Sequence, residues 1–189
     1  MSLDMTGKVA LVTGGGSGIG RASALTFARQ GARVVVVDIA PEGGRETVRL
    51  IEEAGGEALF VETDVSCSAE IEVLVTTTVQ RFGRLDCAHN NAAARKGPSV
   101  PTHEVTEAEW DRIIGIDLKN IFLSMKYEIP QMLEQGGGAI VNTASINGLV
   151  AGRNDAPYTA GKHGVVGLTR TAAVEYAALG ICVNCVCPG

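Results

Sequence analysis

Six short apolar segments, separated by longer stretches with helical spacing, constrain this chain more than any single residue does. They are Val9 to Thr13, Arg33 to Asp38, Ala58 to Thr63, Leu85 to Asn90, Ala139 to Ser145 and Ile181 to Val186. Several are almost continuously apolar and β-branched, which suits strands covered on both faces, as in a parallel sheet. Between them, Gly18 to Arg29, Gly43 to Ala54, Ser68 to Phe82, Glu107 to Glu134 and Tyr158 to Leu179 repeat apolar residues at helical intervals. Ile71, Leu74, Val75 and Val79 form one such stripe. Gly31, Gly55, Gly56, Gly83, Gly136 to Gly138 and Gly180 fall where these helices should stop, supplying left-handed caps. Glu107 to Glu134 reads either as one long helix or as two, with a break near Gly115 to Asp117. The alternation predicts an α/β fold with a doubly wound parallel sheet, Rossmann-like, in a single domain over residues 1–189. Lys96 to Pro101 reads as an exposed loop.

Composition narrows the function. A chain of 189 residues, 46% hydrophobic, is long enough for one real core. Net charge is -5 with no basic run, so neither nucleic acid nor an anionic membrane is an expected partner. Apolar runs such as Val34 to Val37 are far too short to span a bilayer, and Met1 to Lys8 lacks a signal-peptide core; a cytoplasmic location is expected. Cys182 and Cys185 have the spacing of a Cys-x2-Cys metal motif, but side chains alternate along a strand, so Cys182 points away from Cys185 and Cys187. No second Cys or His cluster completes a site, and no metal is expected. His89, His103 and His163 lack metal or triad spacing and read as structural or surface residues.

The run Thr13-Gly14-Gly-Gly-Ser17-Gly18-Ile19-Gly20 follows the first strand and opens the first helix. In that context the glycines let the backbone turn sharply and approach a pyrophosphate at the helix N-terminus, which predicts a dinucleotide site. Asp38 ends the second strand, eighteen residues beyond Gly20, where a carboxylate accepts hydrogen bonds from an adenosine ribose and repels a 2′-phosphate. NAD is therefore expected over NADP, although an Asp before Pro41 also suits a turn. Asp64 and Val65 follow the third strand, in reach of an adenine; alternatively, Asp64 or Ser66 caps the next helix.

Tyr158 and Lys162 lie one helical turn apart, their Cβ atoms about 5–6 Å from each other. An ammonium so placed favours the phenolate, and Ser145, thirteen residues before Tyr158, adds a hydroxyl. Moving a hydride between a secondary alcohol and a nicotinamide needs a group to exchange the hydroxyl proton and a donor to hold the oxygen. Tyr158 and Ser145 meet those two needs.

Thr13 to Gly20, Asp64, Asn90-Asn91-Ala92-Ala93, Ser145, Tyr158-x3-Lys162 and Pro188-Gly189, in this order, resemble the classical short-chain dehydrogenase/reductase family over essentially the whole chain. The resemblance implies that Tyr158 is the general acid/base and that Ser145 orients the substrate oxygen. It implies that Lys162 binds nicotinamide ribose hydroxyls and that Ile19 offers a backbone contact to the cofactor. Asn90 and Asn91 would steady the central strand and line the adenosine ribose, with Pro188 and Gly189 also on the cofactor side. It further implies a homodimer or homotetramer formed through the long middle helix and the Tyr158 helix, covering an apolar face on Ile113 to Met132.

Three departures qualify this picture. The family's active-site asparagine falls at Asp117, which either keeps a backbone carbonyl for a water near Lys162 or pairs with Lys162 and weakens proton relay. Asn120, three residues on, does not match that motif. Gly161 replaces a small polar residue and, with Gly164, loosens the helix unless close packing requires them. The chain stops at Gly189, so the C-terminal substrate segment and last strand are expected to be lacking. The expected function is hydride transfer between NAD and a small-molecule alcohol or ketone. An NADP-dependent 3-oxoacyl reductase and a catalytically impaired NAD-binding or assembly module are the alternatives. The loop Val150 to Pro157, with Arg153, Asn154 and Asp155, is expected to border the substrate pocket.

Overall fold

The computed structural model describes residues 4–94, 97 and 99–189; part of the loop expected at 96–101 lies outside them. The strands β1 (Val9–Thr13), β2 (Arg33–Asp38), β3 (Ala58–Glu62), β4 (Cys87–Asn90), β5 (Gly138–Thr143) and β6 (Ile181–Val186) form one sheet. Its order is β3-β2-β1-β4-β5-β6, and every ladder is parallel. The helices α1 (Gly18–Arg29), α2 (Pro41–Glu53), α3 (Ser68–Phe82), α4 (Glu107–Ile114), α5 (Asn120–Glu134) and α6 (Ala156–Tyr176) make the crossovers. The chain runs from β1 outward to β3 and returns to place β4 on the other side of β1. Connections therefore diverge at the carboxyl ends of β1 and β4, opening a crevice there.

The expected doubly wound sheet is thus present, and both its faces are covered. Val12, Val34 and Val36 pack with Ala24 and Ile51 on one side. Leu11, Val35 and Ile140 pack with Leu74, Met125 and Val165 on the other. Gly31, Gly55, Gly83, Gly136 and Gly180 all have positive φ at the helix ends, as expected. The apolar composition of Ile181 to Val186 suggests a buried strand, but β6 is buried on one face only: Ile181 and Val183 face the core, whereas Cys182, Asn184 and Val186 are exposed. It is an edge of the sheet formed by the described residues, and Cys185 and Cys187 pack against the core while Cys182 faces outward. No helix among the described residues is long and apolar enough to cross a membrane.

The middle segment is one helical run with a π turn at Gly115–Lys119, so the two readings of it meet at the predicted break. The Asn120 N–H reaches back five residues to the Gly115 carbonyl, and the Asn120 side-chain amide takes the Ile116 carbonyl that this releases. A side chain competing for a backbone acceptor is a recognised cause of such a turn. The apolar face expected to need a partner is largely satisfied within the chain, because Ile113, Ile121, Leu123, Met125, Ile129 and Met132 are buried.

A polar ladder crosses the sheet beneath the crevice. Glu128 on α5 accepts from Asn90 Nδ2 at 3.0 Å, Asn90 donates to its register partner Asn142 at 3.1 Å, and Asn142 donates to Thr169 on α6 at 3.0 Å. Complete burial pushes the Glu128 carboxyl up to about 7 against the Asn90 hydrogen bond, which pulls it down. A carboxyl whose folded pKa lies above its unfolded one leaves stability intact below the unfolded value and erodes it as pH rises to the folded value. Stability should therefore fall by about 3 kcal/mol between pH ~4.5 and ~7 on this account. Urea titrations of Glu128→Gln should lose that slope and show a variant more stable than the native protein near pH ~8.

Candidate active site

The turn between β1 and α1 is built for close approach. Gly14 and Gly18 adopt positive φ of 64° and 50°, and a Cβ at Gly20 would collide with the Gly14 carbonyl. Gly20 is thus buried packing beneath the turn, whereas Gly14, Ser17, Gly18 and Ile19 line the crevice. A Cβ at Gly18 would meet nothing within 4 Å, so the turn leaves open space at the amino end of α1. The first N–H groups of a helix have no intrahelical acceptor, which suits that space to an anion. From behind, Arg21 holds the Gly16 carbonyl and bonds Thr47 Oγ1 at 2.9 Å, while Thr47 donates to the Gly15 carbonyl at 2.9 Å.

The crevice has a volume of about 750 Å3, within the range of small-molecule sites. Asp38 lies on its wall, one oxygen accepting the Gly16 N–H and the other the Ala40 N–H, both at 2.9 Å. The carboxylate thus serves the turn and fixes the glycine loop at once. Asp64 and Val65 also line the crevice. Neither Asp64 nor Ser66 caps α3: Cys67 holds that position without a side-chain bond, and Asp64 Oδ1 instead accepts the Ser66 N–H at 2.9 Å. Asn91 is held by Thr13, whose hydroxyl accepts the N–H groups of Asn91 and Ala92 at 2.9 and 3.0 Å. Asn90 is buried in the ladder beneath.

Ser145, Tyr158 and Lys162 line the same crevice beyond β5, together with Pro188 and Gly189. β5 stops at Thr143, so Ser145 lies beyond the strand rather than in it, capping a short 3-10 turn over Ile146–Gly148. Its oxygen accepts the Asn147 N–H at 3.2 Å, leaving the hydroxyl proton for another acceptor. Ile146 N–H donates to the Pro188 carbonyl at 2.7 Å, joining this turn to the segment after β6. Tyr158 is half-buried in the first turn of α6. The Lys162 ammonium lies 5.5 Å from its ring centre and donates to the Thr143 carbonyl at 3.1 Å.

Asp117 does not line the crevice; it lies behind it in the π turn, 3.5 Å from Lys162. Burial pushes the Asp117 carboxyl up against the pull of Lys162, and burial pushes Lys162 down against the pull of Asp117. The unusual glycines of α6 face the same turn. A Cβ at Gly164 would come within 2.8 Å of Leu118, and one at Gly161 would lie 3.5 Å from Asp117 Cβ. Residues 150–157 do not line this crevice, and Asn154, Asp155 and Pro157 line a separate cavity of about 90 Å3. Asp155 is buried and accepts from Asn147 at 2.9 Å.

Thr143 and Arg21 carry no signal in the sequence, while Thr13 stands there only as the start of the glycine run and Asn120 only as a residue that misses the asparagine motif. Spacing does not announce what these four do, because each acts through a partner distant in sequence or through backbone geometry.

A family model described as short chain dehydrogenase matches residues 8–189. Levodione reductase of Leifsonia aquatica is 44% identical over 186 residues, covering 97% of this chain and 69% of its own. Cyclohexanol dehydrogenase of Acinetobacter sp. is 46% identical over 189 residues, covering 100% of this chain and 75% of its own. The crystal structure of carveol dehydrogenase from Mycobacterium avium in complex with NAD superimposes with a TM-score of 0.93 at 33% identity, covering 97% of this chain and 70% of that one. On the family match and these identities, the chain belongs to the classical short-chain dehydrogenase/reductase family, oxidoreductases that act on CH-OH groups.

Proposed function

We propose that the protein is an NAD-preferring oxidoreductase interconverting a secondary alcohol and its ketone, with Tyr158 exchanging the hydroxyl proton. The observation behind this reading is that Ser145, Tyr158 and Lys162 line the same crevice as the glycine turn and Asp38. Gly14, Ser17, Gly18 and Ile19, with Gly20 packed beneath them, would hold a pyrophosphate at the α1 N-terminus. Asp38 and Asn91 would hold the adenosine ribose and Asp64 with Val65 the adenine, leaving Tyr158, Lys162, Pro188 and Gly189 for the nicotinamide half. When bound, the nicotinamide supplies the redox chemistry.

The chain's own residues supply the rest. Ser145 donates its hydroxyl proton to the substrate oxygen, holding charge as it develops. Tyr158 gives that oxygen a proton in ketone reduction and takes one in alcohol oxidation. Lys162 stands one turn from Tyr158 with its ammonium 5.5 Å from the ring centre, its own position fixed by the Thr143 carbonyl. Asp38 disfavours a 2′-phosphate, which weighs against the NADP-dependent 3-oxoacyl alternative. The similarity to cyclohexanol dehydrogenase makes cyclohexanol and cyclohexanone the first probes. Trp110, Phe122 and Val174 leave apolar surface on α4, α5 and α6, exposed at 40%, 50% and 83%, which favours a homodimer or homotetramer; sedimentation showing a monomer at micromolar concentration would oppose it.

Tyr158→Phe should lower kcat by about 10^2- to 10^4-fold with little change in NAD affinity. Native-like turnover in that variant would sink the acid/base assignment. Gly20→Ala, which drives a methyl into the Gly14 carbonyl, should abolish NAD binding in calorimetry. Asp38→Ser should raise activity with NADP relative to NAD; an unchanged ratio would remove Asp38 from cofactor selection. Tight NAD binding by the native protein without turnover of any alcohol or ketone tried would favour the impaired binding module instead.

A further inference from the structure

Behind the crevice, Asp117 gives the Lys162 ammonium a counter-charge where an asparagine would give none. The pair is 3.5 Å apart with side chains 2% (Lys162) and 0% (Asp117) exposed. Asp117 Oδ1 also accepts the Ala94 N–H at 3.1 Å. Oδ2 has no hydrogen-bond partner among the described residues. Gly161, the α6 residue against Asp117, brings no side-chain donor to that second oxygen. An amide oxygen would accept from Ala94 equally well, so the carboxylate adds charge rather than architecture.

We propose that Asp117 is a positioning residue that neutralises Lys162 and so extends toward alkaline pH the range in which ketone reduction, which needs Tyr158 as a phenol, proceeds. This rests on the assignment of Tyr158 made above. An uncompensated ammonium beside the ring favours the phenolate, the form that accepts a proton in alcohol oxidation. With Asp117 ionised, the couple is close to zero net charge and that support is withdrawn; in a buried site, where water screens little, the loss is felt strongly. Few other charges intervene among the described residues. Lys162 faces Asp117 from α6 with Tyr158 one turn away, and Arg112 acts on it from α4 as a minor influence. The segment after β4 presents the Ala94 N–H to Asp117, and β5 presents the Thr143 carbonyl to Lys162.

The phenol can be followed without substrate or cofactor by NMR of protein labelled with 13Cζ-tyrosine, the Tyr158 signal being the one lost in Tyr158→Phe. Asp117→Asn should move the Tyr158 titration midpoint down by about one pH unit, and Asp117→Ala should move it the same way. The alkaline limb of ketone reduction should descend with it. An unchanged midpoint in either folded variant overturns the role of Asp117, whatever the activity. A lowered midpoint accompanied by native-like turnover in Tyr158→Phe instead overturns Tyr158 as the acid/base, and with it the effect of Asp117 on the pH range of reduction.

Discussion

The reversal of strand order beside β1 is the constraint on which everything else depends. Because the chain leaves β1 in one direction and later places β4 on its opposite side, no crossover covers the carboxyl ends of these two strands. The Thr13 hydroxyl holds the two edges of the opening in register by accepting both the Asn91 and Ala92 N–H groups. The glycine turn rises on one flank of this opening and the Ser145 turn beyond β5 on the other. Their separation is therefore fixed by strands rather than by loops, the condition under which reacting groups keep their geometry.

Polar burial follows a pattern around this opening. The sheet interior beneath it accommodates Glu128, Asn90, Asn142 and Thr169 as one chain of hydrogen bonds, and the adjoining layer accommodates Asp117 and Lys162 as an ion pair. Such groups are costly to desolvate, and apolar residues of similar size would hold the same helices to the sheet. Their placement on α5, α6 and the π turn instead puts protonation equilibria directly behind the site. The same π turn explains why α6 carries glycine at 164, since Leu118 occupies the space a side chain there would need.

Much of this was legible in the sequence, and the illegible part has a common physical character. Strand and helix positions came from periodicity, and the helix ends from glycines whose positive φ is a purely local property. The Tyr158 and Lys162 pairing needs only the pitch of a helix. By contrast, the π turn arises from a competition between the Asn120 amide and its own backbone for the Ile116 carbonyl, and nothing in residue spacing announces the winner. Arg21 and Thr47 back the glycine turn across two helices, and the Thr13 clamp joins residues 78 and 79 positions apart. Burial of β6 was overstated because its composition reports apolarity and not its place in the strand order.

The bond from the Ile146 N–H to the Pro188 carbonyl links two regions that otherwise belong to different halves of the site. Ile146 directly follows Ser145, and Pro188 directly follows Cys187; Ser145 and Pro188 line the same crevice. With the Ala144 N–H bond to the Val186 carbonyl at 2.8 Å, the Ile146 bond extends the β5–β6 ladder to the residue beside Ser145, so a shift of the backbone after β6 would bear directly on that turn. On the proposed assignment, cofactor occupancy and substrate alignment would be mechanically geared, ordering of one wall of the crevice tightening the other.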